Sequence, residues 1–174
     1  MKYSKKQKLL AVVTLIPLIL ISTVIFRFSS QTGEQSARVS NGLTVRLLSL
    51  FMDVSELSDG QLETLLTSLR HKVRKTAHIL EYAAFGFFLE LHLCTWLKKR
   101  PWLWGLAVSA LYGFSDELHQ YFVGERAMHV KDVGFDLFGA ALGVGAYALL
   151  AYLIRRLTDK KHTKDVRRQA ARYT

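Results

Sequence analysis

The sequence predicts an all-α fold: a polytopic membrane protein with four transmembrane helices and an extracytoplasmic loop containing short amphipathic helices. Three observations carry this expectation. Half of the 174 residues are hydrophobic and the mean hydropathy lies above zero, with only two prolines, a composition foreign to a disordered chain. Four apolar stretches, residues 9–26, 76–96, 102–122 and 130–154, are candidate spans, and at ~1.5 Å rise per residue the last three each reach ~30 Å, the thickness of the hydrocarbon core. Lysine and arginine collect beside these stretches, the pattern that fixes membrane orientation. Residues 1–155 are accordingly read as one four-helix transmembrane domain and residues 156–174 as a basic cytoplasmic tail, partly amphipathic and suited to lying on anionic lipid.

The first stretch follows Lys2, Lys5, Lys6 and Lys8. Its apolar core exceeds the ~7–15 residues of a cleaved signal peptide and no small-x-small cleavage site follows it, so it reads as a retained span. Pro17 within it is tolerable where neighbouring helices meet the freed carbonyl. After Arg27 the chain turns polar as far as Lys72. Val39, Leu43, Val45, Leu47, Leu48, Leu50 and Phe51 recur there among polar residues, too interrupted to span. One reading is an amphipathic helix at the interface followed by a second short helix around residues 57–69, opened by Ser58-Asp59-Gly60. The competing reading is a solvated loop with two helical turns. Trp96, Trp102 and Trp104 surround Lys98-Lys99-Arg100-Pro101, as aromatic residues do at a membrane interface.

Four spans put both termini on one side. The N-terminal lysines, the Lys98–Arg100 turn and the tail from Arg155 hold fifteen of the 24 lysines and arginines, so that side is expected to be cytoplasmic and the protein a multi-pass protein of the cell membrane. Arg70, His71, Lys72, Arg74 and Lys75 then fall at the outer face against the trend. The net charge of +10 thereby has a membrane explanation, and with no nucleic-acid-binding motif in the chain no nucleic acid is expected as a partner. Cys94 is the single cysteine, which excludes an intrachain disulfide or a thiolate cluster.

Ionisable side chains inside such segments cost roughly 2.5–3.5 kcal/mol each at a helix centre, so a group of them needs partners or a function. In this topology three spans bring theirs to the same face. The second contributes Lys75, His78, Glu81 and Tyr82, the third Ser115, Asp116, Glu117, His119 and Gln120, the fourth Asp132 and Asp136. At 100° per residue, Lys75, His78 and Tyr82 lie within ~60° and Asp116, His119 and Gln120 within ~100° of one another. Asp132, Asp136, Gly139 and Gly143 form one stripe, whose glycines admit a second helix closely. Glu90 and His92 lie deeper, outside this group, and suit interhelical hydrogen bonding.

Asp116-Glu117-x-His119-Gln120 lacks the second histidine of a zincin motif. His78, Glu81, Asp116, His119, Asp132 and Asp136 nevertheless offer an oxygen–nitrogen donor set across three helices, suited to zinc or manganese, so a divalent metal is the one cofactor in view. The alternative is a scaffold of buried salt bridges, with Lys75 and Arg126 against the aspartates. In the active reading His119 or His78 is general base or acid, Glu117 and the aspartates Asp116, Asp132 and Asp136 complete the catalytic candidates, and Lys75 and Arg126 steady an anionic group. Tyr82 and Gln120 are further candidate binding residues.

Ser29, Arg74-Lys75-x-x-His78-x-x-Glu81-Tyr82, Ser115-Asp116-Glu117-x-His119-Gln120-x-Phe122, Arg126 and Asp132-x-x-x-Asp136-x-x-Gly139 occur in this order. Together these runs resemble the VanZ-like family of bacterial membrane proteins over residues 29–143. The resemblance implies a small polytopic protein of the cell envelope. The family's founding member is associated with low-level resistance to teicoplanin, a lipidated glycopeptide. Ser29 beside His78 would suit a nucleophile and its base, although a serine at a helix end is more often a cap. Two expectations follow: a protein acting at the outer leaflet on a lipid-linked or lipidated small molecule, or a non-catalytic scaffold or binding protein whose charged core is structural.

Overall fold

The computed structural model describes residues 4–123 and 130–170. Among them there are five α-helices and no strand: α1 (Lys5–Ser29), α2 (Gly33–Leu48), α3 (Asp59–Trp96), α4 (Pro101–Val123) and α5 (Val130–Ala170). A single 3-10 turn, Val54–Glu56, precedes α3. The all-α expectation holds. Two of these helices, α1 and the Lys131–Lys160 part of α5, are long and apolar enough to cross a membrane. The polar residues carried by α3 and α4 lower their average apolarity.

Three helices begin with the same device. Ser4, Thr32 and Ser58 each accept a hydrogen bond from the backbone N–H three residues on, and Gln7, Gln35 and Gln61 reach back to the cap residue's own N–H. Each pair satisfies two donors that a helix start would leave orphaned. In the 3-10 turn Asp53 accepts from both the amide and the hydroxyl of Ser55, which holds its exposed carboxyl below its ordinary pKa. Pro101 starts α4, where its missing N–H costs nothing.

The expected break between a short helix at residues 57–69 and a span at 76–96 is corrected. One uninterrupted 38-residue helix runs from Asp59 to Trp96, because no proline lies in it and four of the six residues at 70–75 are arginine or lysine, which favour helix. Ser58 opens it, as the sequence signals. Similarly, α5 continues past residue 154 through Ala170, 41 residues in all. The amphipathic segment near residue 39 is helical, as α2, but its packed face is a surprise. Ser36, Ser40 and Thr44 are buried at four-residue spacing, whereas Val39, Leu43 and Leu47 face outward.

Helix α3 is the hub, in contact with each of the other four. Its closest partner is α5. A Cβ added to Gly139 would collide with the Ile79 backbone, one on Gly143 with the Ala83 carbonyl and Phe87 amide, and one on Gly86 with Ala140. The absence of side chains at these three positions is what lets the backbones touch. Beside this seam Tyr82, Phe85 and Leu89 pack with Leu18 and Ile25 of α1. The Phe85 and Tyr112 rings stack at 4.7 Å, and the Tyr112 hydroxyl donates to the Ser22 carbonyl at 2.9 Å, tying α4 to α1. Outside this core α1 exposes Leu9, Val12, Val13, Ile16, Ile19 and Leu20, the arrangement of a helix apolar on every side.

Candidate functional site

Successive turns of α3 carry Arg74, Lys75 and His78 past the ends of α4 and α5, where the three helices enclose a small cleft. Glu117 and Gln120 line it from α4, and Asp132, Phe135 and Asp136 from α5. Its cavity volume is about 20 Å³, room for about one water or one ion. At the mouth the Lys75 ammonium lies 3.6 Å from Asp132 Oδ1 and 4.3 Å above the Phe135 ring. One turn deeper, His78 Nδ1 faces Asp136 Oδ1 at 3.6 Å. Asp116 completes the inner group: a ligand atom from each of His78, Asp116 and Asp136 lies within 4.8 Å of the others. Gln120 Nε2 donates to Asp116 Oδ2 at 3.0 Å, an i,i+4 pair along α4 that fixes the carboxylate.

The group is deeply buried. Asp136 is 1% and Asp116 5% exposed, and Tyr82 is fully buried. It is also incompletely paired: Asp136 Oδ2 and the Tyr82 hydroxyl have no hydrogen-bond partner. Both side chains border Gly113, where a Cβ would meet Asp136 Oδ2 at 3.5 Å and the Tyr82 ring at 3.6 Å. A carboxylate oxygen and a phenol left unpaired in an interior are costly, and native proteins keep few of them.

The structure thus brings together Lys75, His78, Tyr82, Asp116, Glu117, Gln120, Asp132 and Asp136. His119 stands apart. Its ring stacks on Phe26 at 4.8 Å and its Nε2 lies 3.0 Å from Ser30 Oγ. The reason is angular: Gln120 lies ~40° to one side of Asp116 and His119 ~60° to the other, so α4 turns one toward α5 and the other toward the end of α1. Ser29 is the last residue of α1, buried, with its hydroxyl unpartnered. Its neighbour Ser30, not Ser29, holds the C-cap position. Arg126 lies outside the described residues. Glu81 borders a separate crevice of about 210 Å³ between α1, α2 and α3, which also reaches Arg74 and His78. Arg74, which the sequence places in the basic run suited to attracting a phosphate, also lines the cleft, as does Phe135, which nothing in the pattern marks.

A family model described as VanZ/LLP1 matches residues 14–152, most of the chain. The chain belongs to that family. The matched region takes in the cleft and every described residue lining it. Membership makes the chain a membrane-associated protein of a family linked to teicoplanin resistance. No curated protein and no solved structure matches it.

Proposed function

We propose that this is a multi-pass protein of the cell envelope that engages a lipid-linked or lipidated molecule at the outer leaflet, holding its anionic group at the cationic mouth of the cleft between α3, α4 and α5. The observation that carries this reading is the layering of the cleft. Arg74 and Lys75 stand at the mouth, and His78, Asp116 and Asp136 lie beneath them, one from each of three helices. Cationic side chains at an entrance attract and grip phosphate or carboxylate, and a half-buried imidazole against a buried carboxylate below them is a place where a proton or a cation can be held.

The membrane setting follows from α1 and α5, from the outward-facing leucines and valines, and from the family. With α3 and α4 also spanning, both termini are cytoplasmic by the distribution of lysine and arginine, and the cleft opens outward. Helix α2 then lies along the interface, its Val39, Leu43 and Leu47 toward lipid. Teicoplanin, to which the family is linked, is itself lipidated.

The scaffold reading has its own support in the Lys75–Asp132 and His78–Asp136 pairs. Both, however, are separated by 3.6 Å, longer than the ~2.7–2.9 Å of a strong charge-assisted hydrogen bond. Those pairs also leave Asp136 Oδ2 and the Tyr82 hydroxyl without a partner.

The test is native mass spectrometry of detergent-purified protein with a long-chain polyprenyl monophosphate. Arg74→Ala and Lys75→Ala should weaken retention about tenfold each, the worth of one charge-assisted contact, with the fold intact by circular dichroism. Undiminished retention in both variants would sink the proposal. Loss that tracks only the amount of folded protein would return the cluster to a structural role.

A further inference from the structure

We propose that His78, Asp116 and Asp136 hold one divalent transition-metal ion, Zn²⁺ or Mn²⁺, with a coordination position left open toward the cleft. The assignment deepens the function proposed above, since only the open position depends on an anionic substrate; the ion itself does not. One ligand atom from each residue already lies within 4.8 Å of the other two, and the His78–Asp136 separation is 3.6 Å. Ligands of one ion at ~2.1 Å lie ~3–3.4 Å apart, so shifts on the order of 1 Å close the set.

Two further observations point to an ion rather than a plain ion pair. Asp136 is 1% exposed, yet its Oδ2 has no partner, and Tyr82, whose ring borders Gly113 together with Asp136, also has a buried hydroxyl without a partner. A divalent ion supplies the charge that such a carboxylate lacks. The Lys75 ammonium, the nearest paired cation, is engaged with Asp132 at the mouth. Gln120 holds Asp116 through Oδ2 at 3.0 Å, which leaves Oδ1 for the ion and makes Gln120 a positioning residue, in the manner of the outer partners of metal ligands. One imidazole and two carboxylates suit zinc or manganese better than magnesium, which prefers oxygen and keeps its waters. Three protein ligands rather than four is the arrangement of a metal that also meets a substrate.

The experiment strips the detergent-purified full chain with EDTA, dialyses it, and titrates Zn²⁺, Mn²⁺ and Mg²⁺ by isothermal calorimetry. Expected is one ion per chain for Zn²⁺ or Mn²⁺, far weaker Mg²⁺ binding, and weakening as pH falls because the ligating imidazole must be neutral. His78→Ala, Asp116→Asn and Asp136→Asn should each lower affinity at least 100-fold, Gln120→Ala about 10–100-fold, and His71→Ala, at the exposed basic edge, not at all. No stoichiometric binding by the wild type overturns the proposal, and so does binding unchanged in the folded variants. Should the ligand variants fail to fold, pulsed EPR of the Mn²⁺-loaded wild type decides, since coupling to one histidine nitrogen is required and an all-oxygen spectrum overturns the site. Retention of polyprenyl phosphate by a chain that binds no metal would sink the metal site alone. Metal binding without retention would sink the function above and leave the metal site standing.

Discussion

The two ends of the α3–α5 seam both bury carboxylates, but in opposite company. At the end bearing His78, three helices each contribute an ionisable group, with cations at the rim. Three turns along α3, Glu90 is equally buried but solitary. Its Oε1 accepts only the Cys94 thiol at 3.7 Å, its Oε2 has no hydrogen-bond partner, and a Cβ on Gly105 would lie 2.9 Å from that oxygen. None of the ion pairs among the described residues includes Glu90. Burial of an acid is therefore a poor sign of a site in this protein. What distinguishes the first end is convergence, with groups of both signs arriving at one depth from separate elements.

The largest expected effect breaks both ends together. Gly143 sits between them on α5, where any Cβ runs into the α3 backbone. Gly143→Leu should push the helices apart and cost about 3 kcal/mol or more, at the upper end of overpacking penalties. The readout is the thermal midpoint and the yield of monodisperse protein in detergent. A variant of wild-type stability would mean that α3 and α5 are not in contact as described.

How much of this was legible depends on what carried each signal. The stripe Asp132, Asp136, Gly139, Gly143 could be read directly because its period is that of a helix, and the seam with α3 is its result. His92 was legible in kind: the interhelical bond expected of it runs to Thr14 Oγ1 at 3.1 Å. The continuity of α3 through residues 70–75 was not, since the charged run ends the apolar stretch while the helix propensity of its lysines and arginines carries on through it. The Ser36–Ser40–Thr44 face of α2 was hidden for a related reason. Apolarity marks Val39, Leu43 and Leu47 as the packed face, whereas small hydroxyl side chains at four-residue spacing let α2 approach its neighbour closely. His119 was misplaced because a window of ~100° on a helix is wide enough to face two different neighbours.

A sharper contrast comes from paired isosteric changes. Asp136→Asn replaces a carboxyl by an amide at the convergent end and Glu90→Gln does so at the solitary one. Asp136→Asn should lose retention of a polyprenyl monophosphate by tenfold or more while the chain stays folded. Glu90→Gln should retain it fully and match the parent's stability to within ~1 kcal/mol, because the isosteric amide keeps the shape of a side chain that takes part in no ion pair. Equal losses in both variants would erase the distinction between the two ends.

The smallest effect is the most selective. The Tyr82 hydroxyl is buried without a partner, and its ring borders Gly113 together with Asp136, so Tyr82→Phe deletes no hydrogen bond seen in the structure and relieves an unsatisfied group. Stability should change by less than ~1 kcal/mol, and upward if at all. If the hydroxyl belongs to the site, its partner arrives with the ligand, and ligand retention should fall about threefold to tenfold in a chain that melts no earlier than the wild type. A hydroxyl that is merely trapped would leave retention unchanged. Tyr82 would then belong with Glu90, as an interior polar group that the fold tolerates, rather than with the three-helix cluster it touches.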